Sequence, residues 1–214
     1  MYLRHPLLSS NRIEHGFGLL SSPDANQKPI TARQVHGVDV FQVGQDGETL
    51  ESDGLWTDSP GGKVGVWTAD CLPVLFSNKT GSVVCAVHAG WRGAVRGIVT
   101  EALSRLKRDA GLLPSDLLVV LGPSAGRCCY EVGPEVHSEV ASRYPDFIGR
   151  KAHPNHLDLP GLVLYQLAVA GVPASQTGSI DLCTICHPDL FFSHRRQGRL
   201  REGRSMINWI KTSS

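Results

Sequence analysis

The chain has 214 residues and a mass of 23.1 kDa, with 41% hydrophobic and 19% charged residues. That balance gives enough apolar surface for one generous domain and excludes a disordered chain. Lys and Arg number 21 against 20 Asp and Glu, a net charge of +1, so no bulk charge recruits nucleic acid or an acidic membrane. Apolar runs such as 163–172 fall far short of the roughly 20 residues a membrane span needs. The opening MYLRHPLLSSNRIEHG has no apolar core followed by a small-residue cleavage site. The expectation is a soluble, cytoplasmic, single domain over residues 1–214, with six cysteines held as thiols.

Taken in chain order, hydrophobic periodicity predicts a mixed α and β fold. VDVFQV, with Val38, Val40 and Val43, alternates as a strand does. VGVWT (64–68), LPVLF (72–76) and SVVCAVH (82–88) read as further short strands parted by turn residues. From Arg92 the period changes: Val95, Ile98, Val99, Ala102, Leu106 and Ala110 keep helical spacing until Gly111 and Pro114. LLVVLG (117–122) is a buried type of strand. Helices are expected from Pro134 to about Tyr144 and over 160–170, then a strand at SIDLC, a loop, and a last strand around SMINWI. No repeat and no linker divides the chain.

Several residues carry possible chemistry. Cys183-Thr184-Ile185-Cys186-His187 spells a haem-attachment pattern, but that chemistry requires export and no export signal is expected here. A second C-x-x-C that would complete a zinc ribbon is also missing, so Cys183 and Cys186 are read as strand-end thiols. The adjacent Cys128 and Cys129 are read as packing. His36 in RQVHG, Cys71 in TADCLP and His88 in AVHAGWRG each stand at an expected strand end beside Gly or Pro. Two His and one Cys would make a three-ligand zinc site with an open fourth position, yet their wide spacing matches no compact ligand motif. The same residues also suit a Cys–His hydrolase, with Cys71 as nucleophile, His88 as base and Asp70 or Asp53 as orienter. Arg92 at the expected start of the long helix, with Arg195, Arg196 and Arg204, offers guanidinium forks for phosphate or carboxylate. GWRGAVRG matches neither a phosphate loop nor a dinucleotide fingerprint, so ATP and NAD are not supported.

RQVHG, DGLWT, TADCLPVLF, VHAGWRG, GPSAGRCCYEVGPEV and CT…DLFFSHRR stand in the order found in the YfiH-type laccase-domain family, and this chain resembles that family over roughly 14–210. The resemblance implies a layered α/β/β/α sandwich with mixed sheets. It implies that His36, Cys71 and His88 are zinc ligands. It further implies phosphorolysis of adenosine, inosine, guanosine and methylthioadenosine, together with adenosine deamination. In such a scheme Arg92, Arg195, Arg196 and Arg204 would bind phosphate, and Asp70 or Asp53 would shuttle a proton. Other family descriptions imply copper-dependent phenol oxidation or the editing of cell-wall precursors. The chain departs from the family pattern at Ala125 and Arg127, where Ile and Pro are expected, which bears on the pocket wall and the substrate. No H-x-H pair occurs in the chain, against a trinuclear copper centre; copper at the zinc position would make oxidation a metal-substitution effect.

Overall fold

The computed structural model describes residues 1–22, 28–44, 51–147, 149, 153–198 and 205–213. Its strands are β1 (His15–Gly16), β2 (Val40–Gln42), β3 (Gly54–Thr57), β4 (Lys63–Thr68), β5 (Leu72–Asn78), β6 (Val84–Ala89), β7 (Leu117–Leu121), β8 (Thr177–Ser179) and β9 (Met206–Lys211). They form two sheets. The larger has the order β2-β3-β6-β5-β7-β8, with parallel pairs at both edges and antiparallel pairs between them. The smaller, β1-β9-β4, is antiparallel.

Side-chain alternation along the central strands builds two cores at once. Leu72, Val74 and Phe76 of β5, Cys85 and Val87 of β6, and Val119 and Leu121 of β7 pack against helices. Leu75, Val84, Ala86, Leu118 and Val120 turn the other way, onto Val64, Val66 and Ile210 of the smaller sheet. With both faces covered, these strands read as continuous apolar runs rather than as alternation. The mixed α+β class with mixed sheets is therefore what the structure has. β3 was not revealed by periodicity for the same reason, since all four of its residues are buried.

The helices are α1 (Pro6–Ser9), α2 (Trp91–Val95), α3 (Ile98–Ala110), α4 (Pro134–Arg143), α5 (Leu159–Val169) and α6 (His194–Gln197). The single helix expected from Arg92 is in fact α2 and α3. Gly97 separates them at φ +88°, a left-handed conformation that glycine adopts without strain. Val99, Ala102, Leu103 and Leu106 of α3 face the core, and Gly111 ends the helix in a left-handed cap. The strand expected at SIDLC lies earlier, at β8: its pairing follows β7, which gives way to Gly122-Pro123 just after Leu121. FFSHRR supplies α6, whose first turn is capped by Ser193 Oγ accepting from Arg196 N. Among the described residues no helix is long and apolar enough to cross a membrane.

Leu75 is fully buried between the two sheets. Leu75→Ala should cost about 2–5 kcal/mol in urea unfolding, whereas the exposed Val169→Ala should stay within about 0.5 kcal/mol of the parent.

Candidate active site

Strand pairing brings the dispersed candidates to one end of the larger sheet. The antiparallel register of β5 and β6 places Leu72 opposite Ala89 and Pro73 opposite His88, so Cys71, just before β5, lies beside the end of β6. The β3–β6 register places Gly54 opposite Val87, which brings Asp53 alongside His88. His36 arrives on a turn at φ +57°, uncommon for a residue with a side chain. The donor atoms of His36, Cys71 and His88 all lie within 4.8 Å of one another. The chain passes this cluster at Gly90, where a Cβ would stand 2.6 Å from His36 Nδ1 and 3.3 Å from Cys71 Sγ. Only glycine permits that approach.

Asp53 explains how the cluster is held. It is fully buried, and its Oδ1 lies 2.7 Å from His88 Nδ1. The same carboxylate accepts the backbone N–H groups of Val35 (3.2 Å), His36 (3.0 Å) and Gly37 (2.6 Å). Three converging amides and an imidazole satisfy a charge that burial would otherwise make costly. Burial pushes the Asp53 carboxyl up, but the His88 and backbone hydrogen bonds outweigh it and hold the group below its ordinary value. With both oxygens engaged, Asp53 sits behind His88 as a positioning residue.

The electrostatics follow from this arrangement. Burial alone would raise the Cys71 thiol, yet hydrogen bonds and charge from His36 and His88 bring it down to about 7. Burial would lower His88, yet Asp53 and Cys71 raise it to about 9. In the absence of a metal ion the pair would be a thiolate facing an imidazolium between pH about 7 and about 9. The donor set also fits a zinc-class ion: one thiolate, two imidazoles, and a carboxylate fixing the second ring nitrogen of His88.

His36, Cys71 and His88 line a cavity of about 590 Å³ together with Trp67, Trp91, Tyr130 and His194. The other sequence candidates divide. Arg92 is exposed at the cavity, its guanidinium 4.6 Å from the Trp91 ring centre. It stands on the five-residue α2 and not on the long helix. Arg195 also lines the cavity, 5.0 Å from the Tyr130 ring centre, and donates from Nη1 to Glu131 O (2.8 Å). Arg196 does something else: its fork donates to the carbonyls of Thr184 (2.8 Å), Ile185 (2.9 Å) and Phe191 (2.7 Å), bracing a loop. Arg204 lies outside the described residues. Asp70 lines the cavity, but its carboxylate accepts from Thr184 Oγ1 (2.6 Å), Ser193 Oγ (3.0 Å) and Arg195 N (2.7 Å). It fastens α6 to the strand end.

Sequence reasoning passed over the cavity aromatics, although Trp91 and Tyr130 adjoin singled-out residues in HAGWRG and CCYEV. Their recognisable signal was the exposed Trp67, the one outward residue in β4. Tyr130 is buried, which chiefly pushes its phenol up to about 12 and keeps it neutral. The four loop cysteines also need correcting. Cys128 and Cys129 converge with Cys183 and Cys186, all four Sγ atoms within 4.8 Å, so the second cysteine pair that seemed missing is supplied by another loop.

A two-sheet α+β sandwich with a Cys–His cluster at its strand ends defines the class. Residues 14–211 match the family model described as multi-copper polyphenol oxidoreductase laccase, and the chain belongs to that family. It is 37% identical over 182 residues to the purine nucleoside phosphorylase YfiH of Shigella flexneri, covering 83% of this chain and 72% of that protein. It is 35% identical to the purine nucleoside phosphorylase YlmD of Geobacillus stearothermophilus, covering 78% and 66%. The crystal structure of the Bacillus licheniformis hypothetical protein YfiH superposes with a TM-score of 0.80 at 26% identity, covering 95% of this chain and 94% of that one.

In metal-free protein, alkylation of Cys71 followed by peptide mass spectrometry should be half-maximal near pH 7. Asp53→Asn removes the charge that keeps His88 protonated and should move that midpoint up toward 9.0. The sign is fixed by linkage. Stability from the Cys71 thiolate is complete above 9.0 and is lost as pH falls through about 7. Stability from His88 is complete below 6.5 and is lost as pH rises through about 9.

Proposed function

We propose that this chain is a purine nucleoside phosphorylase, with zinc held by His36, Cys71 and His88, that splits adenosine, inosine, guanosine and methylthioadenosine with phosphate and also deaminates adenosine. The observation that carries the reading is the cavity itself, in which the Cys–His cluster faces two arginines and three aromatic side chains. The names of the similar proteins support it. In phosphorolysis, phosphate oxygen bonds to the ribose C1′ as the C1′–N9 bond breaks; adenosine and phosphate become adenine and ribose 1-phosphate. Arg92 and Arg195 would hold the phosphate, each already oriented by an aromatic face, so little freedom is lost on binding. Trp91 and Tyr130 offer flat apolar surfaces to the purine, and the neutral Tyr130 phenol can donate a hydrogen bond to it. Asp53 would keep His88 oriented toward the cavity, and Asp70 would keep α6, and with it Arg195, in place. A zinc ion on the three ligands would supply Lewis acidity in the cavity. Deamination replaces the C6 amine with oxygen from water and releases ammonia. The oxygens of Asp53 and Asp70 are engaged in hydrogen bonds, so neither is placed to carry that proton while Cys71 and His88 serve as zinc ligands.

A second reading, a Cys–His hydrolase acting on amides such as those of cell-wall precursors, is favoured by one observation. Cys71, His88 and Asp53 form a hydrogen-bonded chain with the nucleophile lowered to about 7. Metal removal separates the two, since chelation would silence the zinc enzyme and release the thiolate. Copper in the same position, with slow phenol oxidation, ranks below both.

Zinc-loaded protein given adenosine should yield adenine only when phosphate is present, and inosine with or without it, as resolved by liquid chromatography. Cys71→Ala should lose both products by at least about 100-fold while remaining folded. Intact adenosine and inosine after prolonged incubation would overturn the purine reading. A separate kinetic expectation concerns Arg195→Ala, which should raise the KM for phosphate roughly 10- to 100-fold and leave that for adenosine nearly unchanged.

A further inference from the structure

The second sulfur cluster lies outside the cavity. Cys128 and Cys129 are on the loop that follows β7, and Cys183 and Cys186 on the segment that follows β8. The two segments are zipped together by a parallel bridge between Ser124 and Cys183, with Thr184 N donating to Ser124 O (2.9 Å). Cys186 Sγ lies 3.2 Å from Cys129 Sγ and 3.5 Å from Cys128 Sγ. One sulfur thus has two close sulfur neighbours, a shared cage rather than a set of one-to-one pairs. Metal–sulfur bonds of about 2.3 Å in a tetrahedron give sulfur–sulfur edges of about 3.8 Å, so four atoms within 4.8 Å need only small side-chain adjustment. Cys183 Sγ also accepts the N–H of Gly126 (3.2 Å), and the backbone N–H groups of Ile185 and Cys186 are directed at the same atom. Such donors stabilise a thiolate. His187 is not among the side chains whose donor atoms converge there; its Nδ1 is paired with the Cys183 carbonyl (2.9 Å).

We propose that Cys128, Cys129, Cys183 and Cys186 bind one structural zinc ion, separate from the His36–Cys71–His88 cluster. Binding replaces the four S–H protons, which pass to solvent, and needs no oxidant. Four protein thiolates complete a tetrahedron and leave no open position, so the site is structural. Its effect is local and mechanical. The first loop continues into Tyr130 of the cavity wall, and the second carries Thr184, which binds Asp70, and the carbonyls braced by Arg196. The ion would clip these two segments together beneath the cavity. The inference stands on the cysteine geometry alone, whatever the cavity's reaction.

The test uses Cys71→Ala protein of the same 214 residues, which lacks the thiolate of the first cluster, reduced, incubated with Zn²⁺ or Co²⁺ and desalted. It should retain about one equivalent of metal, and the cobalt form should show sulfur-to-cobalt charge-transfer bands with the ligand-field bands of a tetrahedral site. Adding Cys186→Ser should abolish both, and in the otherwise unaltered chain Cys186→Ser should remove about one of two bound equivalents. The exposed Cys128 and Cys186 should also resist alkylation when zinc is present. Reduced Cys71→Ala protein that takes up no metal, or metal retention unchanged by Cys186→Ser, would overturn the site. Should Cys71→Ala fail to fold, the equivalents lost by Cys186→Ser from the unaltered chain decide the question.

Discussion

The buried carboxylate of Asp53 is the contact on which the rest of the cluster depends. A charge without solvent has to be satisfied by the protein, and here a turn and a strand satisfy it together: three backbone N–H groups at 35–37 and the imidazole of His88. The left-handed backbone of His36 is tolerable because its own amide is among those donors. One acceptor therefore sets the direction of His88 and the position of His36. Cys71 needs only the β5–β6 register to arrive opposite them. The low thiol and the high imidazole are consequences of that convergence.

Around the cluster, polar side chains act mainly as fasteners. Asp70 joins the start of β5 to Thr184, Ser193 and Arg195, segments more than a hundred residues away in the chain. Arg196 gathers three carbonyls of the loop between Thr184 and Phe191. The cysteine tetrad lies where the two wall-forming loops meet. Cys71, the two imidazoles, Arg92 and Arg195 line the cavity, while charged neighbours keep the walls in place. This division explains why residue type alone left the role of Asp53, Asp70 and Arg196 open between orienting and reacting: a carboxylate or guanidinium in a motif looks the same whether it faces a substrate or a backbone amide.

Much of the architecture was legible in the chain before any coordinates. The apolar runs that became β4, β5, β6, β7 and β9 and the helical spacing behind α3, α4 and α5 are local patterns, set by which faces must leave water. The motif order also carried the family, and with it the expectation that His36, Cys71 and His88 act together. Where local pattern failed, the cause was tertiary. β3 is buried on both faces and so shows no alternation; Gly97 broke a helix whose period continued across it; and β8 began where β7 offered partners rather than where SIDLC looked most strand-like.

By itself the sequence determined which segments bury apolar faces, which residues bring thiol, imidazole and guanidinium groups, and which family the chain resembles. Only the tertiary structure decided which of those groups meet. Separations of 17 residues between Cys71 and His88, and of more than fifty between Cys129 and Cys183, become a few ångströms through strand register and loop pairing. Periodicity within a window cannot encode such distances, because they arise from hydrogen bonds between segments whose order along the chain says nothing about their order in a sheet.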